Sequence, residues 1–313
     1  MEVILSAILD TFVAKIVKLT LYNFPNIRKM LKITECPRDA MQGIHDFIPT
    51  ELKAKYINLL LNVGFDTIDF GSFVSPKAIP QLQDTAAVLS KLDLGTPTKL
   101  LAIIANYRGA EDAAAHEEIS FLGFPFSVSE TFQKRNTNKT IAEAFEDVKK
   151  IQALCSQKKK NLLVYISMGF GNPYNDPWSA DIVNEWVGKL YAEGIRYFNL
   201  SDTVGVAKAT DITGLFTNLI PAYPDIEFGA HLHSRPDRQD EKIGAAYDAG
   251  CRKFDAAMHG FGGCPMAEDE LVGNVSTEGL IFYLKMKGEQ LTIHKEYFKE
   301  AADLARQIFG DYM

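Results

Sequence analysis

Two histidines stand two residues apart in the segment GAHLH, at His231 and His233. Far from them in the chain, CPRDAMQ carries Arg38 and Asp39, and GNVSTE carries Asn274. One carboxylate, two imidazoles and one carboxamide oxygen form a mixed oxygen and nitrogen set that suits a divalent cation such as Mg²⁺ or Mn²⁺. The fold must bring these three segments together if they form such a site.

A cysteine, Cys264, lies in the glycine-rich segment GFGGCP. A buried structural cysteine packs as a small apolar side chain and needs no glycines around it. A thiol on such a loop is able to approach a reacting centre and withdraw, so we expect it to take part in catalysis. Each of these segments also has an ordinary interpretation, as a hydrogen-bonded histidine pair, a helix cap or a packed cysteine.

Eight short β-rich segments alternate with longer helical patterns from Leu31 onward. The β-rich segments cover residues 31–35, 65–73, 99–106, 118–124, 161–168, 196–202, 227–233 and 252–259. The clearest helical patterns cover residues 49–64, 140–157 and 179–194. Several of them end near a glycine, as helices often do. This alternation predicts an α/β fold, a parallel eight-stranded (β/α)8 TIM barrel, rather than an open doubly wound sheet.

Residues 30–313 are predicted to form one TIM-barrel catalytic domain. Its last segment, residues 296–313, has a helical pattern and is expected to pack on the barrel exterior. Residues 1–29 are predicted to be an N-terminal extension, and Met30, directly before the first strand, is an alternative start of translation. The extension is apolar but interrupted by charges, and it lacks the features of a signal peptide or a membrane span.

Composition excludes several classes of protein. A net charge of −7 argues against a nucleic-acid surface, which needs clustered basic residues. The four cysteines show neither CxxC spacing nor the density of a disulfide framework, so a cytoplasmic location is expected. A hydrophobic fraction of 47% supplies enough apolar material for one large core.

A TIM barrel places its active site at the carboxyl ends of the strands and in the loops that follow. The predicted cation ligands and Cys264 follow strands 1, 7 and 8, which become neighbours when the barrel closes. Further polar residues follow strands 1, 2 and 6, where they are expected to contact the substrate or support the site: Gln42, Asp69, Asp202 and Thr203.

Six segments resemble the 3-hydroxy-3-methylglutaryl-CoA lyase family of the DRE-TIM metallolyases. They are ECPRDAMQ, FGSFVSPKAIPQLQD, SDTVGV, GAHLH, GFGGCP and GNVSTE, in order from about Leu31 to Gly279. The cysteine loop followed by the GN[LV]xTE pattern separates the lyases from their condensing relatives. The resemblance implies a TIM barrel, and a homodimer. It also implies cleavage of an acyl-CoA substrate to acetyl-CoA and acetoacetate with Mg²⁺ or Mn²⁺.

The resemblance also implies roles for individual residues. Arg38 would stabilise the thioester enolate oxygen, and Asp39 or His231 would take the proton of the 3-hydroxyl. Cys264 would protonate the acetyl-CoA carbanion or control access to it. The implied metal ligands are Asp39, His231, His233 and Asn274. The implied substrate-binding residues are Arg38, Gln42, Asp69, Asp202 and Thr203.

The chain departs from the family pattern in three places. Ala40 replaces the glycine of PRDGLQ, Asp69 stands where a longer glutamate is common, and SRPDRQDEK follows the second histidine. Because these departures surround the ligand set, they leave the exact acyl group open. Arg235 and Arg238 are either carboxylate contacts or surface residues. Coenzyme A has no glycine-rich phosphate loop here, and the candidates to hold it are Lys134 and Arg135.

Two other functions remain open from the sequence. One is an acyl-condensing synthase of the same superfamily, of the isopropylmalate or homocitrate type, although such enzymes usually carry further C-terminal domains. The other is a catalytically silent barrel that binds an acyl-CoA or a partner protein. Retention of all four ligand candidates and Cys264 argues against the silent barrel.

Overall fold

The computed structural model describes residues 30–263 and 272–312. Eight parallel strands form a closed barrel in chain order, and the last strand pairs with the first. The strands are β1 Lys32–Glu35, β2 Thr67–Ser72, β3 Lys99–Ile103, β4 Ile119–Ser127, β5 Asn161–Ser167, β6 Tyr197–Asp202, β7 Glu227–Leu232 and β8 Lys253–Ala256. The predicted TIM barrel is therefore confirmed. The predicted extension over residues 1–29 lies outside the described residues.

Helices follow the strands around the outside of the barrel. In the described part of the chain they are α1 Pro37–Met41, α2 Thr50–Leu61, α3 Thr85–Leu89, α4 Tyr107–Ala114, α5 Glu130–Thr137, α6 Ile141–Lys158, α7 Ala180–Ala192, α8 Ala209–Ala222, α9 Gln239–Asp248, α10 Thr277–Met286 and α11 Lys295–Tyr312. Two 3₁₀ turns lie at Pro80–Leu82 and Met258–Gly260. The three predicted helical patterns correspond to α2, α6 and α7, and the terminal pattern corresponds to α11.

Local sequence explains where several helices begin. Asn106, Ser129 and Ser179 precede α4, α5 and α7, and each side chain accepts a backbone N–H of the first turn. Thr140 and Glu143 form a reciprocal capping box at the start of α6. The predicted end of the fourth strand at residue 124 is wrong, because β4 continues through Pro125 to Ser127. The fixed φ of proline is compatible with extended chain, so Pro125 does not end the strand.

None of the helices in the described residues combines the length and apolar character that crossing a bilayer requires.

The inward face of the barrel is apolar on one side and polar on the other. Side chains of β3, β4 and β5 form an inner apolar cluster that is separate from the main core: Leu101, Ile103, Phe121, Leu163 and Tyr165. The alternate residues of the same strands belong to the main core between strands and helices. The inward-facing residues of β1, β2, β6, β7 and β8 are mostly polar: Thr34, Asp69, Asn199, His231 and Asp255. The polar side coincides with the strands that carry the predicted ligands.

Glu35, at the end of β1, is a fully buried carboxyl group that the sequence did not single out. It accepts hydrogen bonds from the Met258 backbone N–H at 2.8 Å and the Thr277 hydroxyl at 2.5 Å. Burial raises the pKa of Glu35 to about 8, against the opposing effect of these two hydrogen bonds. The group therefore joins β1 to the turn after β8 and to the start of α10, largely as a neutral acid below that pH.

Replacing Glu35 with glutamine is expected to change how stability depends on pH. The pKa of Glu35 lies at about 8 in the folded chain, above the ordinary value of 4.5. Between these values only the unfolded chain releases the proton, so the free energy of unfolding falls as pH rises, by up to about 1.4 kcal/mol per unit. Glu35→Gln should remove this contribution from the slope measured by urea denaturation between pH 5 and pH 8.

The matched control is Glu300→Gln, at an exposed position of α11. It should keep the wild-type slope. Equal slopes for Glu35→Gln and wild type would contradict the interpretation of Glu35 as a neutral buried acid.

Candidate active site

Three predicted ligands converge at the carboxyl end of the barrel. His231 lies near the end of β7 and His233 directly follows it, with their Nε2 atoms 3.2 Å apart. Oδ2 of Asp39 lies 4.0 Å from Nε2 of His233. One ligand atom from each of the three residues lies within 4.8 Å of the others, and all three side chains are buried. This spacing allows one small ion to contact all three groups.

The short helix α1 places the charged residues beside the histidines. Pro37 occupies its first turn, where proline needs no N–H partner, so the helix begins directly after β1. Arg38 donates from Nε and Nη2 to Oδ2 of Asp69, at 3.0 and 2.5 Å. Its Nη1 donates to Oδ1 of Asp39 and to Oε1 of Gln42, both at 2.9 Å. The aspartate at position 69, although shorter than the glutamate of the family pattern, therefore reaches the arginine.

The two carboxylates beside Arg38 differ in charge behaviour. Burial acts to raise the pKa of Asp39, but Arg38, the two histidines and Asn274 together lower it to about 2. Burial raises the pKa of Asp69 to about 6 in spite of the ion pair with Arg38. Asp39 is therefore the carboxylate that stays ionised, as a cation ligand must.

The imidazoles of His231 and His233 also differ in the direction of their pKa shifts. Burial acts to lower the pKa of His231, but the hydrogen bond and charge of Asp255 raise it overall. Burial and the neighbouring His231 lower the pKa of His233 to about 4. His233 is therefore the neutral partner of the pair, with a lone pair available to a cation.

Asn274 lies beside the three ligands because its backbone forms an antiparallel bridge with His233. Its carboxamide nitrogen donates to Oδ2 of Asp39 at 2.6 Å and to the Phe261 carbonyl at 3.0 Å. In this orientation the amide nitrogen faces the site, so the predicted ligation through Oδ1 requires the carboxamide to rotate. Gly262 makes the close approach possible, since a Cβ there would lie 2.6 Å from that nitrogen and 2.9 Å from the Asp39 carbonyl.

The HMGL-like family model matches residues 31–306 of the chain. The chain belongs to the HMGL-like family. The mitochondrial hydroxymethylglutaryl-CoA lyase of Mus musculus is 30% identical over 285 residues, which cover 90% of this chain and 86% of the relative. The cytoplasmic 3-hydroxy-3-methylglutaryl-CoA lyase of Danio rerio is 30% identical over 282 residues, or 89% of this chain and 83% of the relative.

Solved structures of the HMGL-like family have the same fold. An HMG-CoA lyase from Acinetobacter baumannii, in complex with coenzyme A and 3-methylmalate, superimposes with a TM-score of 0.84 at 29% identity. The match covers 92% of this chain and 93% of that one. The family assignment and the prediction of a lyase are confirmed. The relatives include both mitochondrial and cytoplasmic enzymes, so the cytoplasmic location stays a prediction.

A cavity of about 180 Å³ opens beside the ligands. Its polar lining includes Arg38, Asp39, Gln42, Thr203, His231 and His233. Its apolar lining includes Val74, Ile79, Ile103, Pro125 and Phe132. Most of the predicted substrate-binding residues therefore border one cavity, together with the predicted metal ligands of β7 and α1.

Tyr165 of β5 also lines this cavity and was not predicted from the sequence. Its ring stands edge-on to His231, with 5.5 Å between ring centres. Its buried hydroxyl has no hydrogen-bond partner among the described residues. The alternation of inward and outward side chains along β5 could have identified it. Tyr165 faces inward, in register with Asn199 of β6.

Asp202 and Thr203 have different surroundings although they are adjacent. Asp202 is 1% exposed, and its oxygens accept from the Lys242 ammonium at 2.6 Å and from the Ala207 N–H at 3.0 Å. Thr203 borders the cavity, and its hydroxyl accepts from the Met168 N–H at 2.9 Å. Thr203 is thus placed to contact a ligand, whereas Asp202 is engaged in a buried ion pair.

Lys242 was also missed by sequence reasoning. Its ammonium donates to Asp202, to the Gly205 carbonyl at 2.9 Å and to the His233 carbonyl at 2.8 Å. All three of its N–H donors therefore have a partner. The sequence feature that could have identified Lys242 is its position in SRPDRQDEK, the segment that departs from the family pattern.

The remaining basic candidates have surface partners. Arg235 pairs with Asp237 at 3.3 Å, and Arg238 pairs with Glu241 at 2.8 Å, all with exposed side chains. Lys134 pairs with Glu130 at 3.2 Å, and the Arg135 guanidinium lies 4.6 Å from the Tyr174 ring centre. Their proposed contacts with carboxylate or coenzyme A stay predictions.

Cys264 lies outside the described residues, so its predicted role stays a prediction. A different cysteine, Cys36, lies close to His231 and Asp255, with ligand atoms within 4.8 Å of one another. Burial raises the pKa of the Cys36 thiol well above its ordinary value, and nearby carboxylates add to this effect. Cys36 is therefore a neutral thiol rather than a thiolate ligand.

Replacing Lys242 with methionine is expected to leave the carboxylate of Asp202 buried without its cation. Removal of one partner from a buried ion pair typically lowers the free energy of unfolding by about 3–5 kcal/mol. Because the two residues share one interaction, the double variant with Asp202→Asn should lose less than the sum of the single variants. Urea denaturation of the four proteins measures this coupling.

Arg238→Met is the matched control, since it removes an exposed ion pair with Glu241. That change should cost less than about 1 kcal/mol. A loss for Lys242→Met no larger than that of the control would show that the buried pair does not stabilise the loop.

Proposed function

We propose that the chain is a divalent-cation-dependent lyase that cleaves 3-hydroxy-3-methylglutaryl-CoA to acetyl-CoA and acetoacetate. The observation that carries this proposal is the convergence of Asp39, His231 and His233 within 4.8 Å of one another, beside Arg38 and a cavity. Relatives named as lyases for this substrate, at 30% identity over most of the chain, support it.

The donor set fits a hard or borderline divalent cation. Asp39 supplies carboxylate oxygens, the histidines supply imidazole nitrogens, and Asn274 lies within one side-chain rotation of supplying an amide oxygen. Oxygen and nitrogen ligands without thiolate favour Mg²⁺ or Mn²⁺ over soft metals. A cation held there would lower the pKa of the substrate 3-hydroxyl and orient the acyl group.

In the proposed reaction the 3-hydroxyl loses its proton and its carbon becomes the ketone of acetoacetate. The bond between the second and third acyl carbons breaks, and its electron pair remains as the enolate of acetyl-CoA. That enolate then takes up one proton. The chain must therefore supply a proton acceptor, a cationic contact for the enolate oxygen and a proton donor.

The resemblance implies Asp39 or His231 as the proton acceptor, and both are also proposed cation ligands. Arg38 and Gln42 both donate to Oδ1 of Asp39, and Asn274 donates to Oδ2. These bonds fix the carboxylate at the cavity wall, and the choice between the two proton acceptors stays open.

Arg38 has one donor left for the enolate. A guanidinium carries five N–H groups. Among the described residues, the bonds to Asp69, Asp39 and Gln42 use four of them and leave one on Nη2. Since Arg38 borders the cavity, that donor is suited to stabilise a developing negative oxygen.

We assign the substrate class as acyl-CoA, with a homodimeric assembly and a cytoplasmic location as further parts of the proposal. The relative from Acinetobacter baumannii binds coenzyme A, which supports the acyl-CoA assignment. Cys264 is proposed to protonate the enolate.

Release of acetyl-CoA from 3-hydroxy-3-methylglutaryl-CoA, with Mg²⁺ or Mn²⁺ and with chelator, tests the reaction. Wild type should be active only with the cation. Arg38→Lys keeps the charge but loses the planar fork, so kcat should fall about 10²- to 10³-fold. Arg306→Lys, the same change at an exposed residue of α11, is the control and should leave kcat unchanged. Full activity in chelator, or a fully active Arg38→Lys, would contradict the proposed mechanism.

A thiol-modification experiment tests the role of Cys264. Cys36, Cys155 and Cys251 are buried, and burial raises the pKa of each of these thiols, to about 12 for the last two. In the folded protein, iodoacetamide should therefore alkylate Cys264 first and abolish activity in parallel. Cys264→Ala should lose activity, whereas Cys155→Ala should retain it. Inactivation that tracks alkylation of another cysteine would overturn the assignment.

A further inference from the structure

A hydrogen-bonded chain of side chains lies inside the barrel beneath the proposed cation site. Asp255 of β8 and His231 of β7 are direct partners in the strand register. Oδ2 of Asp255 lies 3.2 Å from Nδ1 of His231 and accepts a hydrogen bond from Asn199 at 2.7 Å. The side chain of Asp255 is fully buried.

The two ring nitrogens of His231 face different groups. Nδ1 faces Asp255, and Nε2 faces Nε2 of His233 in the ligand cluster. To bind a cation through Nε2, a neutral imidazole must carry its proton on Nδ1. A carboxylate at Nδ1 accepts that proton in a hydrogen bond, so it favours the required tautomer and fixes the plane of the ring.

The strand sequences provide room for this arrangement. Gly229 pairs with Asn199 across β6 and β7. A Cβ at Gly229 would lie 2.3 Å from Oδ1 of Asn199, so a larger residue there would displace the carboxamide that holds Asp255. Glycine weakens a strand interior, and its presence in one often marks such a close approach.

The other imidazole lacks an equivalent support. No carboxylate faces Nδ1 of His233 among the described residues, and its Nε2 contact is with His231. Tyr165 additionally packs edge-on against the ring of His231. Of the two histidines, His231 is therefore the one whose orientation the barrel interior controls.

We propose that Asp255, held in place by Asn199, is a positioning residue. It sets the tautomer and orientation of His231, and through them the affinity of the site for a divalent cation. The proposal rests on the cation site of the proposed function, but not on the identity of the acyl-CoA.

The test is the dissociation constant for Mn²⁺, measured by titration of the full chain without substrate. Asp255→Asn retains the shape of the side chain but removes its charge, and should weaken binding about 10- to 100-fold. Asn199→Ala should weaken it in the same direction by a smaller factor. Asp66→Asn is the matched control, because that aspartate directly precedes β2, pairs with Lys99 at the start of β3 and should not affect binding.

Nitrogen NMR of the histidine side chains shows which ring nitrogen carries the proton. This measurement distinguishes a positioning role of Asp255 from a role in folding alone. His231 should carry its proton on Nδ1 in the wild type and lose this preference in Asp255→Asn, while the circular dichroism spectrum stays unchanged. Binding of Mn²⁺ by a folded Asp255→Asn within twofold of the wild-type affinity would overturn the proposal.

The outcomes separate this proposal from the proposed function. If the wild type binds Mn²⁺ in the Asp255-dependent manner but cleaves no 3-hydroxy-3-methylglutaryl-CoA, the positioning role is supported and the assigned substrate is wrong. If the wild type binds no Mn²⁺, the cation site is wrong and the positioning role fails with it.

Discussion

A buried excess of negative charge organises the carboxyl end of the barrel. Burial raises the pKa of Asp69, and the charges of Asp39 and Asp255 add to this effect. Arg38 is the permanent cation that pairs with Asp39 and Asp69. The buried carboxyl groups therefore share one permanent cation in a low-dielectric interior, which is a costly arrangement. A divalent cation would offset that charge, so binding one would also stabilise this end of the fold.

The asymmetric interior of the barrel separates this charge from the apolar core. The β3, β4 and β5 side is closed by packed side chains such as Leu101 and Phe121. The opposite strands carry hydrogen-bonding residues at the same depth, among them Asn199 and Asp255. The apolar and polar sides therefore occupy different strands of the same barrel interior, and the predicted ligand His231 lies on the polar side.

The sequence predicted the strands because they depend on local pattern. Parallel strands are buried on both faces and appear as continuous apolar segments between helices. Residues just after such strands must meet at one end of the barrel, which placed Asp39 beside His231. The contacts of Asp255, Glu35 and Lys242 were not predictable in this way. Their partners lie in other strands and helices, so only the register of the closed barrel determines which groups they meet.

Orientation is a second feature that sequence pattern does not determine. Asn274 lies beside Asp39, and its amide nitrogen, rather than its oxygen, faces the carboxylate. The same carboxamide would offer its oxygen to a cation after one rotation. A residue pattern does not specify which of the two carboxamide atoms faces the carboxylate.

The departures from the family pattern lie around the ligand set rather than within it. Ala40 is buried in α1, and its Cα lies 3.1 Å from where a Cβ of Gly262 would be. The main chain of α1 therefore packs directly against Gly262, and a side chain at position 262 would not fit there. In the altered segment after His233, Lys242 returns to bind the His233 carbonyl and Asp202. Both changes lie beside the predicted ligands Asp39 and His233 without replacing either residue, so we expect them to adjust fit and affinity rather than the type of reaction.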